Sequence, residues 1–230
     1  MILKYINKSS IKVISFDVTD TIIRLKLSPA LIYKKIGDEY KLNLNEKMIE
    51  SKFKDSFKKY QKVLPNYGYK KGGSKVWWSK VIYESCGIEK NPITEEFCNQ
   101  CYEEFNSSKY YELINDKTPE ILGKLGKQYT LIVTSNSDER IKVILRELLK
   151  KEYFNDYIIS SENGYGKPDA RVFQKICEKF NCLPENIIHI GDNIIKDYNS
   201  IEKFGGHGIL FSNNDKYNSI SSLNQLTEIL

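Results

Sequence analysis

Five short runs set the strongest limit on the fold: "KVISFD" (12–17), "YTLIVTS" (129–135), "DYIIS" (156–160), "NIIHIGD" (186–192) and "HGILF" (207–211). Each is apolar at consecutive positions rather than alternating. Such a run suits a strand covered on both faces, as in a parallel sheet. The segments between them read as helices. "TPEILGKLGK" opens with Thr118 as an expected N-cap and Pro119 at the first helical position. "SDERIKVILRELLKK" carries apolar residues at helical spacing, and "KPDARVFQKICEKF" again sets Pro just inside its start. Strands alternating with helices imply right-handed crossovers and an α/β doubly wound parallel sheet of Rossmann-like type.

One interval breaks the alternation. Between Leu25 and Lys117 no segment reads as a strand. Four read as helices: "PALIYKKIGDEYKL", "NEKMIESKFKDSFKKYQKVL", "SKVWWSKVIYESCG" and "TEEFCNQCYEEF", with "LPNYGYKKGG" as a loop. The expected organisation is an α/β core of residues 1–24 and 118–230 with an α-helical insertion, residues 25–117. An insertion after the first strand sits over the crevice where open α/β sheets bind ligands, as a lid would.

The chain has 230 residues, 40% hydrophobic and 28% charged, enough for a self-sufficient core. Its net charge of +5 comes from lysines spread along the chain. That favours anions weakly and lacks the clustered basic face of a nucleic-acid binder. No apolar run is long enough for a membrane span, and the N-terminus lacks the pattern of a signal peptide. These features predict no nucleic-acid and no membrane partner, in a cytoplasmic monomer or weak homodimer. The five cysteines are scattered. Cys98 and Cys101 form a C-x-x-C with no second pair nearby, a poor zinc site; buried free thiols are the ordinary reading.

Four clusters fall at strand ends or helix starts: Asp17 with Asp20 and Thr21; Thr134-Ser135-Asn136; Gly166-Lys167-Pro168-Asp169; and Gly191-Asp192 with Asp197. Singly, each reads as a turn or helix cap. Together they lie on one edge of one sheet and bring acids, a hydroxyl and a lysine. Converging carboxylates imply a cation, and oxygen ligands without His or Cys suit Mg²⁺. An aspartate can attack phosphorus and carry an aspartyl-phosphate. The set fits phosphoryl transfer, which depends on positioning and charge neutralisation.

These motifs resemble the haloacid dehalogenase superfamily with a helical cap. Its pattern is a strand with Asp-x-Asp-x-Thr, a strand ending in Ser or Thr, a Lys before a helix, and a strand ending in Gly-Asp with a further Asp. The counterparts here are "FDVTDTI", "IVTSN", "GKPD" and "IIHIGDNIIKD". A subgroup of that family similarly carries Asp-Val-x-Asp-Thr-Leu and a "PNYG…WW" stretch, here "LPNYGYKKGGSKVWW". The resemblance implies a HAD-like core and a hydrolase with Asp17 as nucleophile and Mg²⁺ ligand, oriented by Thr21. Ser135 and the Asn136 backbone would bind phosphate oxygens, and Lys167 would neutralise the nucleophile and phosphoryl group. Asp192 and the Thr19 carbonyl would complete the metal site, supported by Asp197.

The departure is Thr19, where phosphatases of the family carry the general acid. Asp20 is one residue away, and adjacent side chains generally point differently. Positioned acid–base catalysis is worth about 10²–10⁴-fold. Three readings follow: a Mg²⁺-dependent phosphatase slowed by Thr19, a weak or inactive protein that binds a phosphorylated ligand or a protein partner, and a 2-haloacid dehalogenase. The pair Gly191-Asp192 with Asp197 argues against the last.

Trp77 and Trp78 point about 100° apart on a helix, so both pack in the cap or one faces the active-site roof. Tyr67, Lys70 and Lys71 are candidates to reach a substrate anion from a loop that Gly72 and Gly73 make flexible. His189 reads as a core residue and His207 as a turn residue.

Overall fold

A computed structural model describes residues 6–214 and 216–230. In chain order its strands and helices are β1 (Val13–Phe16), β2 (Ile23–Leu25), α1 (Pro29–Glu39), α2 (Glu46–Val63), the single turn α3 (Pro65–Gly68), α4 (Gly73–Cys86) and α5 (Pro92–Glu104). There follow β3 (Tyr111–Leu113), α6 (Thr118–Leu125), β4 (Thr130–Ser135), α7 (Ile141–Leu149), β5 (Asp156–Ile159), α8 (Ser160–Asn163) and α9 (Arg171–Phe180). The chain ends with β6 (Ile187–Gly191), a π-helical turn (Ile194–Tyr198), α10 (Asn199–Phe204), β7 (His207–Phe211), β8 (Ser219–Ile220) and α11 (Leu226–Ile229).

Six strands form one sheet in the order β5-β4-β1-β6-β7-β8, every neighbouring pair parallel. The five apolar runs became five of these strands. β1 lies between β4 and β6, with Ser15 opposite both Ile132 and His189. Chain order reverses there, and this edge of the strands is where open α/β sheets build their sites. Period-two alternation sorts the side chains. Ile14, Phe16, Leu131, Val133, Ile188 and Ile190 pack in one core cluster. Val13, Ile132 and Ile187 pack on the opposite face with Phe173 and Ile176 of α9 and Ile201 of α10.

The helices α1, α2, α4 and α5 surround a separate apolar cluster built on Tyr33, Ile36, Ile49, Ile82 and Phe97. Ser28 and Asn45 cap α1 and α2, and Asn91 with Thr94 forms a capping box on α5. Cys98 and Cys101 face this cluster as free thiols, and burial pushes Cys98 up to about 11.

Three expectations need correction. The interval 25–117 does contain a strand: β3 pairs antiparallel with β2, Leu25 opposite Tyr111, where the chain leaves and re-enters the core. Three residues are too short a run to show a period. Thr118 does not cap α6 with its side chain; it is the first helical residue, and its hydroxyl donates to the Asn115 carbonyl at 2.5 Å. Pro168 lies before α9, which begins at Arg171, because Asp169 accepts from the Arg171 backbone and holds a turn there. No helix among the described residues is long and apolar enough to cross a membrane.

Candidate active site

Asp17 directly follows β1, and its backbone N–H donates to the Ile190 carbonyl at 2.8 Å, which extends the β1–β6 ladder to Asp17. The next residues turn sharply. Val18 accepts from the backbones of Thr21, Ile22 and Ile23, and Asp20 has φ +60°, a conformation Asp tolerates better than most residues. Ser135 ends β4, and Asp192 directly follows β6. The motifs on these strands therefore meet at one sheet edge.

Lys167 is the centre of the charge arrangement. Its side chain is buried, with Nζ 2.8 Å from Asp17 Oδ1 and 2.5 Å from Asp197 Oδ1. Burial alone would lower its pKa, but the charges of Asp17 and Asp197 outweigh that and raise it. Asp197 is held well below the usual carboxylate range: burial pushes it up, and Lys167 and His189 more than reverse that. Asp197 Oδ2 also accepts from the Asn193 backbone at 2.9 Å.

Asp192 differs. It is exposed at the surface, yet partial desolvation and then the charges of Asp17, Asp197 and Asp20 push it up to about 6, and it has no ion-pair partner among the described residues. One oxygen each from Asp17, Asp192 and Asp197 lies within 4.8 Å of the others. Lys167 supplies one positive charge to three crowded carboxylates. An all-oxygen donor set with excess negative charge fits a hard divalent cation.

Thr21 is fully buried, and its hydroxyl has no hydrogen-bond partner among the described residues. No side-chain hydrogen bond joins it to Asp17, whose contacts are the Ile190 carbonyl and Lys167. Ser135 is buried, with no side-chain hydrogen bond among the described residues. Asn136 acts on the protein: its Nδ2 donates to the Lys167 carbonyl at 2.7 Å, and its own carbonyl accepts from Tyr67. Thr19 is exposed and bridges to Ile23. Asp20 is exposed, outside the three-carboxylate group, and raised by burial and Asp17.

Sequence reasoning missed His189 as a site residue. It is fully buried, with Nε2 3.0 Å from Asp197 Oδ1 and 3.3 Å from Lys167 Nζ. Its Nδ1 lies 2.9 Å from Ser15 Oγ, and Ser15 donates to Thr134 at 2.7 Å. Burial and then the Lys167 charge lower its pKa. A lone His inside an apolar strand gives no signal of this; the strand register that sets it opposite Ser15 would have.

The helical insertion closes over this edge. Tyr67 donates to the Asn136 carbonyl at 3.0 Å and Asn66 Nδ2 to the Gly164 carbonyl at 2.6 Å. Tyr67 thus docks the loop on the core, while Lys70 and Lys71 are exposed. Trp77 is buried and donates to the Tyr60 carbonyl. Trp78 faces the core and donates to Asp138 Oδ2 at 2.7 Å. Asp138 also receives Nε and Nη2 of Arg140, both at 2.8 Å, and Arg140 Nη1 reaches the Tyr102 carbonyl. Between the helices and the core lies a cavity of about 250 Å³, bordered by Thr19, Ser137, Asp138 and Arg140 and walled by aromatic rings.

A family model for haloacid dehalogenase-like hydrolases matches residues 11–205. The chain belongs to that family. It is 26% identical to haloacid dehalogenase-like hydrolase domain-containing protein 3 of Xenopus laevis, over 87% of this chain and 84% of that protein. It is 29% identical to the rhythmically expressed gene 2 protein of Drosophila melanogaster, over 88% and 83%. Among solved structures, it superposes on a 2-haloacid dehalogenase from Pseudomonas syringae with TM-score 0.68 and 18% identity, covering 95% of this chain and 97% of that one. A HAD-hydrolase, YfnB from Bacillus subtilis, bound to magnesium, gives TM-score 0.67 and 21% identity, covering 96% and 98%. These two likenesses bear on the fold.

Proposed function

We propose that the protein is a Mg²⁺-dependent phosphohydrolase of small phosphorylated molecules, working through an aspartyl-phosphate on Asp17. The observation that carries this reading is the charge arrangement: Lys167 bridges Asp17 and Asp197, while Asp192 is crowded by the same acids without a cation of its own. Residues 1–24 and 118–230 are taken as the catalytic core and 25–117 as the cap that limits substrate size. Five unpaired cysteines fit a reducing, cytoplasmic setting.

Asp17, Asp192 and the Thr19 carbonyl would hold the ion, with Asp197 in support. Bound there, Mg²⁺ supplies charge neutralisation for the phosphoryl oxygens. The chain's own residues do the rest. Asp17 attacks phosphorus. Lys167 neutralises the nucleophile's neighbourhood and the phosphoryl oxygens, held in place by Asp197 and His189. Ser135 holds a phosphoryl oxygen, and Asn136 fixes the backbone that carries Lys167. Water then releases phosphate from Asp17. The unpaired Asp192 beside the nucleophile favours phosphorus over the carbon of a haloacid, and the similarity to a dehalogenase is one of fold.

The test is phosphorylation by acetyl phosphate with Mg²⁺, which needs no acid at position 19. Wild type is expected to carry a hydroxylamine-sensitive phosphoryl group on the peptide containing Asp17, and Asp17→Asn none. Equal labelling of the two, or labelling of neither, overturns the reading.

A further inference from the structure

The cavity above the site differs in chemistry from the charged sheet edge below it. It begins at Thr19, two residues from Asp17, and its wall is built from Tyr33, Phe53, Phe57, Trp78, Phe105 and Tyr111. Several of these rings pack on one another: Phe53 and Trp78 stack at 6.5 Å, and Phe57 and Trp78 lie at 5.8 Å. Such walls bind flat apolar groups, with a few polar groups setting orientation. Tyr33 and Tyr111 bring hydroxyl-bearing rings to the lining, and Ser137 Oγ is buried without a hydrogen-bond partner among the described residues. They suit one or two polar substituents, not the hydroxyls of a sugar.

The volume agrees. A cavity of about 150 Å³ lined by apolar side chains holds benzene. This one, at about 250 Å³, has room for a substituted or fused ring.

The second, independent observation concerns protons. The only carboxylate among the lining residues is Asp138, and it is not free to act as an acid. Burial would raise it, but the Arg140 pair and the Trp78 indole outweigh burial and hold it below the ordinary range. Thr19 has no acidic proton to give. Asp20 and Asp192 lie outside the cavity lining, and Asp192 sits among the clustered carboxylates, so a leaving group held in the cavity departs as an anion. Phenol-type oxygens have a conjugate-acid pKa of about 10, against about 16 for water, which aliphatic alcohols approach. Aryl oxides can leave unassisted where alkoxides cannot.

We infer that the substrate class of this site is the phosphate monoesters of phenolic and fused-ring aryl alcohols, with the ring in the aromatic cavity and the phosphate on the sheet edge. The inference rests on the phosphohydrolase reading above. An Asp17 oxygen forms a bond to phosphorus as the bond from phosphorus to the aryl oxygen breaks. The electron pair leaves with the aryl oxide, which takes a proton from solvent. Water then attacks phosphorus, its proton passes to solvent, and the Asp17 carboxylate and inorganic phosphate result.

The test compares kcat/KM for 1-naphthyl phosphate, phenyl phosphate and glycerol 3-phosphate with Mg²⁺, alongside acetyl phosphate labelling. The expected order is naphthyl above phenyl in kcat/KM through a lower KM, with glycerol 3-phosphate at least 100-fold below naphthyl. In Phe57→Leu the KM for 1-naphthyl phosphate should rise about tenfold or more. Glycerol 3-phosphate within tenfold of naphthyl, or a phenyl KM equal to naphthyl's, overturns the inference even if Phe57→Leu fails to fold. Labelling of Asp17 by acetyl phosphate in that event leaves the phosphohydrolase reading intact. Failure of that labelling removes both.

Discussion

At the scale of single residues, Gly191 shows how tightly the site is built. A Cβ on Gly191 would stand 2.3 Å from Asp197 Cγ and 2.5 Å from its Oδ2. The side chain that anchors Lys167 thus occupies the space a Cβ would fill. Gly191→Ala must displace Asp197. Overpacking of this kind typically costs about 1–3 kcal/mol, and the larger effect is expected on Lys167. Denaturant unfolding should show a loss in that range. Labelling of Asp17 by acetyl phosphate should slow at least tenfold; an unchanged rate would mean that Asp197 does not position Lys167. Thr19→Asp tests the missing proton from the other side. A carboxyl at the cavity mouth should raise turnover of alkyl phosphates toward the about 10²–10⁴-fold that acid–base catalysis supplies. Turnover that stays at background, with Asp17 still labelled, would show that more than the acid is missing.

At the scale of elements, the contact between the helical insertion and the core is a polar seam around one buried ion pair. Arg140, at the start of α7, holds Asp138 through two hydrogen bonds, and its guanidinium lies 4.2 Å from the centre of the Tyr102 ring on α5. Trp78 of α4 completes the seam by donating to the same carboxylate. Both ionised groups are buried, so removing one strands the other. Arg140→Met should cost about 3–5 kcal/mol, the usual penalty for leaving one buried charge unpaired. The pH dependence follows from the direction of the Asp138 shift. Its folded pKa lies below the ordinary 3.8, so its stabilising contribution is complete above that value and is lost as pH falls through the lower folded value. Wild type should therefore lose stability more steeply than Asp138→Asn below pH 3.8, measured by urea unfolding across that range. Parallel acid limbs would show that the pair contributes nothing.

This seam also marks where the sequence stops being legible. The apolar runs announced five strands because burial on both faces leaves an unmistakable composition. Asp17 and Asp192 stood out because strand ends carry functional groups to one edge, and Lys167 because it precedes a helix start in the loop before α9. Asp138 and Arg140 were not, since in "TSNSDER" they resemble any helix start. Their pairing depends on Trp78, 60 residues away in sequence. The hinge strands β2 and β3 were hidden for the same reason, being defined by each other across 88 residues at Arg24 and Glu112. His189 was read as core, and it is in the core; its contacts with Asp197 and Lys167 come from register and fold. The pair Trp77-Trp78 alone does not say which ring faces the roof; the fold places Trp78 there.

At the scale of the whole molecule, the sheet edge concentrates negative charge in a protein whose net charge is +5. Without a cation, Asp192 is the group that bears this conflict. Its folded pKa is raised from 3.8 to about 6, so the folded state holds a proton there that the unfolded chain has given up. By linkage, this group's contribution makes metal-free stability fall as pH rises from 3.8 to about 6, and the deficit persists above that. Asp192→Asn removes the charge and keeps the shape, so at pH 7.5 without metal it should be more stable than wild type. Mg²⁺ should reverse the order, because a ligand that binds only the folded state stabilises it. Wild type should gain in melting temperature with rising Mg²⁺ at pH 7.5, and the gain should shrink as pH falls through about 6, where a proton competes for the Asp192 oxygens. Asp192→Asn should show little of that gain at either pH. A Mg²⁺ response equal in both proteins would separate the cation from Asp192, and a metal-free Asp192→Asn less stable than wild type would remove the charge conflict as the reason for the cation.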